Sequence, residues 1–278
     1  MNGLEDLRDG RLRLLGEPVQ RYREDPVRML RAVRFAARLG FIIDPACETP
    51  LIELPHLLES VPAARLFDEA LKLFLTGHAL QSFEKLRHYG LFAQLFPATE
   101  QSLSREEHAF PITFVSRGME NTDARVAEGK PVTPAFLFAV LLWEPVRLRA
   151  EELERGGASP FDALREAGDQ VVAAQNQVLS IPKRFSYPMR EIWTLQYRFG
   201  LRTGKRPQRL LTHPRFRAAY DFLLLRAESG ETDPELAQWW TELQTGAAGE
   251  PTQARQPSVG DAPRKRRRRR RRPKANAH

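Results

Sequence analysis

The stretch that decides the fold is Arg23-Glu24-Asp25-Pro26-Val27-Arg28-Met29-Leu30-Arg31-Ala32-Val33-Arg34-Phe35-Ala36-Ala37-Arg38-Leu39-Gly40-Phe41. It reads as one helix with a start, a stop and two opposed faces. Asp25 can cap the first amides, Pro26 suits the first helical position, and Gly40 can end the helix. At about 100° per residue, Arg28, Arg31, Arg34 and Arg38 fall within a third of the circumference, while Met29, Leu30, Ala32, Val33, Ala36 and Ala37 fill the other side. Four guanidinium groups on one face attract phosphate, and the apolar face buries against a core.

Outward from this helix, residues 3–16 predict a short hairpin, with Asp9-Gly10 as its turn and Leu12 and Leu14 alternating with Arg11 and Arg13. Beyond Asp25 the reading is helical. A helix starts at Ser60 and Pro62, carries Leu66, Phe67, Ala70, Leu71, Phe74 and Leu75 as one apolar stripe, and ends at Gly77. A second runs from Ala79 to Tyr89, followed by Leu91, Phe92, Leu95 and Phe96. Residues 98–130 are mixed. Ala135 to Trp143 reads as a buried helix, and the helical region from Glu151 to Leu179 breaks at Gly156-Gly157 and Pro160. Residues 189–199 and 214–228 are two further helices. From about Thr245 the chain is Gly, Ala, Pro, Gln and Arg without periodicity, and it is expected to be disordered.

The 278 residues are 42% hydrophobic and carry a net charge of +8. Ten basic residues lie in residues 264–274, which leaves residues 1–263 close to neutral. Residues 183–217 hold a second basic concentration, ten Lys and Arg against Glu191 alone. Two separated basic patches favour a directed polyanionic partner over general stickiness. Cys47 is the only cysteine, so an internal disulfide is excluded and a reducing cytoplasm is expected. The longest apolar run, Ala135 to Trp143, is far short of the roughly 20 residues of a membrane span, and no membrane association is expected. The histidines show no His-Glu-x-x-His spacing, so no metal site is expected from this chain.

Gly3-Leu4-Glu5-Asp6-Leu7, Leu12-Arg13-Leu14-Leu15-Gly16 and Glu24-Asp25-x-x-Arg28 follow one another in an order that resembles the palm–neck junction of bacterial poly(A) polymerases. These are grouped with the tRNA CCA-adding enzymes in the class II nucleotidyltransferases. The resemblance continues through Ala64-Arg65-Leu66-Phe67-x-Glu69, Ile181-Pro182-Lys183-Arg184 and His213-Pro214-Arg215-Phe216-Arg217-Ala218-Ala219-Tyr220-Asp221. It covers nearly the whole chain. The family's palm carries a Gly-Ser pair, an Asp-x-Asp and an Arg-Arg-Asp, and none of these occurs here.

The resemblance implies an almost all-α fold. Its parts are a palm remnant over residues 1–22, a helical neck over 23–100, a helical body over 101–244, and a disordered arginine-rich tail over 245–278. It implies transfer of AMP from ATP to RNA 3′ ends, with ATP as substrate and Mg²⁺ as cofactor, the metal ligands lying outside this sequence. Asp25 and Arg28 would read adenine, whose Watson–Crick edge offers one donor and one acceptor. Read from spacing alone, a helix cap for Asp25 and a solvated first-turn place for Arg28 are the favoured reading, and the resemblance reverses that preference. Arg31 and Arg34 would meet the triphosphate. Arg65 and Glu69, at i and i+4, read as an ion pair or as a clamp between neck helices.

Lys183, Arg184, Lys205, Arg206 and Arg209 are the RNA-gripping candidates of the second basic segment, with Trp193 and Phe216 expected in the core. Partners implied are RNA 3′ ends, RNA-decay proteins and a separately encoded palm. Alone, the chain is expected to bind RNA in a salt-sensitive way without polymerising. A tRNA CCA-adding enzyme and a non-enzymatic RNA-binding adaptor remain the alternatives.

Overall fold

The computed structural model describes residues 3–104 and 110–246. The expected disorder of the tail falls outside the described residues. A short helix, α1 (Gly3–Arg8), leads to the two-residue strand β1 (Arg11–Leu12), then to α2 (Pro18–Glu24) and α3 (Val27–Leu39). The strand β2 (Ile42–Ile43) follows directly and pairs with β1 in parallel, Arg11 opposite Ile42 and Leu12 opposite Ile43. This corrects the expected hairpin. A two-residue hairpin turn of the Asp-Gly type needs positive φ at both residues, whereas only Gly10 is left-handed, at φ +62°. Asp9-Gly10 instead closes α1, the Asp9 amide donating to the Glu5 carbonyl at 2.9 Å. The chain reverses through α2 and α3 before meeting β1 again.

α3 forms for the reasons its sequence states, with one correction. Asp25 does not cap its amides through its side chain: Asp25 is the last residue of the α2 turn, its own amide donating to the Arg21 carbonyl, and only its carbonyl accepts the Arg28 amide, at 3.0 Å. A proline at the junction leaves the first turn of α3 one orphan donor fewer. Gly40 ends the helix at φ +67°, and the Phe41 amide reaches back to the Ala36 carbonyl at 3.1 Å. Met29, Leu30, Ala32, Val33, Ala36 and Ala37 are all buried.

The chain continues with α4 (Pro45–Glu53), capped by Asp44, a 3-10 turn over Pro55–Ser60, and α5 (Ala63–Phe74). Helix α5 buries Leu66, Phe67, Ala70 and Phe74 as expected, and Leu73 as well, while Leu71 and Leu75 are only partly covered. It stops at Phe74, ahead of Gly77. Next come α6 (Ala79–His88), α7 (Leu91–Leu95) and α8 (Pro97–Ser104). The region read as mixed includes α9 (Phe110–Ala127), whose Asp123 carboxylate caps α6 by accepting the Ala79 and Leu80 amides.

Five helices complete the core: α10 (Pro134–Leu141), α11 (Trp143–Arg155), α12 (Pro160–Gln175), α13 (Lys183–Phe199) and, after the short α14 (Arg206–Leu211), α15 (Phe216–Glu228). Helix α13 starts at Lys183, ahead of the expected residue 189, with Pro188 inside it. The last helix, α16 (Pro234–Thr245), lies over α15. Small residues let the helices close up. A Cβ on Gly118 of α9 would stand 2.5 Å from the Val140 Cγ1 of α10, and one on Gly168 of α12 would stand 3.1 Å from the Trp193 ring. Trp193 is fully buried and donates its indole N–H to the Ala139 carbonyl at 3.1 Å. One apolar core runs from Tyr22 of α2 to Leu225 of α15, and a smaller one gathers Phe199, Phe216, Tyr220 and Trp240. Among the described residues no helix is long and apolar enough to cross a membrane.

Candidate nucleotide cleft and RNA-facing surface

The polar face of α3 divides between two neighbours. Arg28, Arg31 and Phe35 look into a cleft of about 420 Å³ whose other walls come from Leu12, Arg13 and Leu14, from Arg21 and Tyr22, and from Ile43 and Cys47. Four guanidinium groups therefore face one space, and no carboxylate is among the lining side chains. Arg28 is held in place: it donates to the Arg21 carbonyl at 2.8 Å and to Glu24 at 3.1 Å. Glu24 also accepts from Arg21 at 2.6 Å, and the Arg28 hydrogen bond is the largest reason its carboxyl lies below the usual range. Arg31 is exposed and has no ion-pair partner among the described residues. Such a cleft, with an aromatic ring on one side and, on the other, the unpaired Arg31 beside three guanidinium groups that carboxylates hold from behind, suits a base joined to phosphates.

Arg34 and Asp25 do not line this cleft. They face α5. Asp25 accepts two contacts from the Arg65 guanidinium, at 3.1 and 3.3 Å, and Arg34 pairs with the largely buried Glu69 at 3.5 Å while stacking on Phe35. Glu69 also accepts from Lys72 at 2.9 Å. The expected Arg65–Glu69 ion pair within α5 does not form. Arg65 instead reaches Asp25 at the end of α2, and Glu69 reaches Arg34 of α3, so the two residues tie α5 to α2 and α3 through separate bonds.

Arg13 and Arg21 were absent from the sequence-derived site. Arg21 sits two turns before Arg28, a spacing that signals one face only if the helix is continuous, and the break at Asp25-Pro26 hides it. Arg13 reaches the cleft because parallel pairing brings β1 beside α3. It is steadied by Asp44 at 3.1 Å and Asp6 at 3.4 Å. Burial pushes the Asp44 carboxyl up, but the Ala46 amide together with Arg13 and Arg11 outweighs it and holds the group below its ordinary value.

The second basic segment spreads over α13, the following loop and α14. Lys183, Arg184, Lys205, Arg206 and Arg209 are all exposed, and none has an ion-pair partner among the described residues. Arg190, Arg215 and Arg217 are instead tied to Asp169, Glu191 and Asp221. Trp193 and Phe216 are in the core as expected, while Tyr187 and Tyr197 stand on the surface beside the basic groups. This combination of free cations and exposed rings fits unpaired nucleic acid.

Two family profiles match the chain. "Probable RNA and SrmB- binding site of polymerase A" covers residues 40–103, and "Polymerase A arginine-rich C-terminus" covers residues 156–274. The curated Poly(A) polymerase I of Haemophilus influenzae is 45% identical over 245 residues, 87% of this chain. The chain belongs to the bacterial poly(A) polymerase and CCA-adding superfamily. Within it, the Poly(A) polymerase I of Salmonella typhi is 42% identical over 90% of the chain, whereas the CCA-adding enzyme of Limosilactobacillus reuteri is 37% identical over only 36%. The chain spans about half the length of the poly(A) polymerases it matches, 54% of each. A solved tRNA-processing enzyme in its apo form I has the same fold, with a TM-score of 0.52 at 20% identity, covering 88% of this chain and 64% of that one.

The magnesium implied by the resemblance finds no ligand set here. Among the described residues no three His, Cys, Asp or Glu side chains stand together as metal ligands would, and no step is derived through a metal.

Proposed function

We propose that this chain supplies the nucleotide-holding neck and the RNA-holding body of a poly(A) polymerase, whose reaction is template-independent transfer of AMP from ATP to RNA 3′ ends. The observation that carries the proposal is the arginine-lined cleft beside Glu24-Asp25-x-x-Arg28 in a chain 42–45% identical, over about nine tenths of its length, to poly(A) polymerases.

Arg28 and Arg31, joined by Arg13 and Arg21, hold the nucleotide. Arg31, unpaired among the described residues, meets the triphosphate charge, and Arg13, Arg21 and Arg28 present further donors beside it, where charge-assisted bonds are strong. Asp25 is held by Arg65 outside the cleft, and taking the exocyclic amine of adenine requires it to exchange that partner for the base. Arg34 acts through Glu69, keeping α3 and α5 in fixed relation. The Gly-Ser, Asp-x-Asp and Arg-Arg-Asp motifs of the family's palm are not in these 278 residues, so the proposal assigns this chain binding and orientation, with the palm's chemistry supplied by a separate segment. Mg²⁺ belongs to that segment. The partners are RNA and, through the neck, proteins of RNA decay; the compartment is the cytoplasm.

Lys183, Arg184, Lys205, Arg206 and Arg209 grip the transcript backbone. Replacing Lys205, Arg206 and Arg209 together by alanine weakens binding to every single-stranded RNA alike. It also lowers the slope of log affinity against log salt by about 2, since each phosphate contact on a single strand contributes roughly 0.7. Fluorescence anisotropy across a salt series checks this. An unchanged slope would remove these three residues from the interface.

A further inference from the structure

A cavity of about 640 Å³ opens between α9, the start of α10, α13 and α15. It is distant in sequence from the neck cleft. Its apolar floor includes Phe136, Phe185, Ala218 and Leu224, and its rim carries Arg184 and Arg217. Arg184 lies 4.8 Å above the Phe185 ring and has no carboxylate partner among the described residues, and Arg217 is largely exposed. Three carboxylates, Glu128, Asp221 and Glu228, also face the space. Asp221 is engaged by Arg217 at 3.0 Å, while Glu228 is exposed and unpaired among the described residues.

We propose that this groove is a second RNA site that takes one unpaired, amine-bearing base of the transcript, adenine being the one a poly(A) tract supplies. The inference rests on the RNA binding proposed above and adds to it a place and a base. An aromatic and aliphatic slot accepts the flat face of a base, because every base has a face that can stack. The Arg184 rim belongs to the most basic segment of the globular chain, so the phosphate attached to that base meets a free guanidinium. Glu228 sets the preference. A free carboxylate accepts from an exocyclic amine, which adenine has and uracil lacks.

Two variants test this by anisotropy with 12-residue oligo(A) and oligo(U). Ala218→Phe fills the slot without changing charge, and it is expected to weaken oligo(A) about tenfold, to leave oligo(U) within twofold, and to leave the salt slope unchanged. Glu228→Gln alters no volume, and it is expected to shrink the ratio of oligo(A) to oligo(U) affinity at least threefold. Free AMP offers the same base and phosphate. At a concentration equal to the RNA it should not displace oligo(A), and full displacement would overturn the assignment to RNA in favour of free nucleotide. If wild-type protein binds both RNAs and neither variant alters their ratio, the groove is not a nucleotide site, although RNA binding stands. Failure of wild-type protein to bind either RNA would defeat the underlying reading instead.

Discussion

Trp193→Ala lowers the free energy of unfolding by about 3–5 kcal/mol, the range for removing a large buried aromatic. Trp193 has no exposed surface, and its indole N–H satisfies the Ala139 carbonyl of α10. Truncation opens a cavity between α10, α12 and α13 and leaves that carbonyl without its donor. Gly168 makes the site tight from the other side, its backbone lying against the indole ring, so collapse onto the cavity is limited by helices already in close contact. Urea denaturation followed by circular dichroism checks the figure. A loss under about 1 kcal/mol would mean that α13 is not the central packing element of the body.

Glu69→Leu costs about 2–4 kcal/mol, because it leaves the partly buried Arg34 guanidinium without its carboxylate. Removing both members, in Arg34→Leu with Glu69→Leu, recovers most of that loss, since the penalty comes from the stranded charge and not from the absence of the pair. The same urea titrations distinguish the cases. A double variant as unstable as the single one would show that Glu69 contributes through Lys72 or through packing, and that the bridge between α3 and α5 is dispensable.

Much of the fold was legible because its signals are local. Asp25-Pro26, Gly40 and the apolar spacing between them define α3 within a residue or two, and the Gly156-Gly157 and Pro160 breaks fall where α11 ends and α12 begins. What escaped was non-local. Nothing near Arg11 and Leu12 says that they pair with Ile42 and Ile43, thirty residues on, and a turn-forming Asp9-Gly10 suggests a nearer partner. Arg65 and Glu69 have the spacing of a helical ion pair, yet Arg65 pairs with Asp25 at the end of α2 and Glu69 with the partly buried Arg34 of α3.

The candidate site was half legible for the same reason. Arg28 and Arg31 share a face and a cleft, but the periodicity that grouped them with Arg34 could not say that α5 would cover one edge of the stripe. Arg13 and Arg21 join through the tertiary fold alone. The groove had no signal in the sequence, since its walls come from three separate segments, 121–136, 184–192 and 214–228.

The central claim is that the Arg28–Arg31 face of α3 holds a nucleoside triphosphate. Isothermal titration of ATP into the full chain, beside the Arg28→Ala, Arg31→Ala double variant, tests it most directly. Two lost charge-assisted contacts at about 1.5 kcal/mol each predict binding weaker by about a hundredfold in the variant. Equal affinity of the two proteins for ATP would contradict the account.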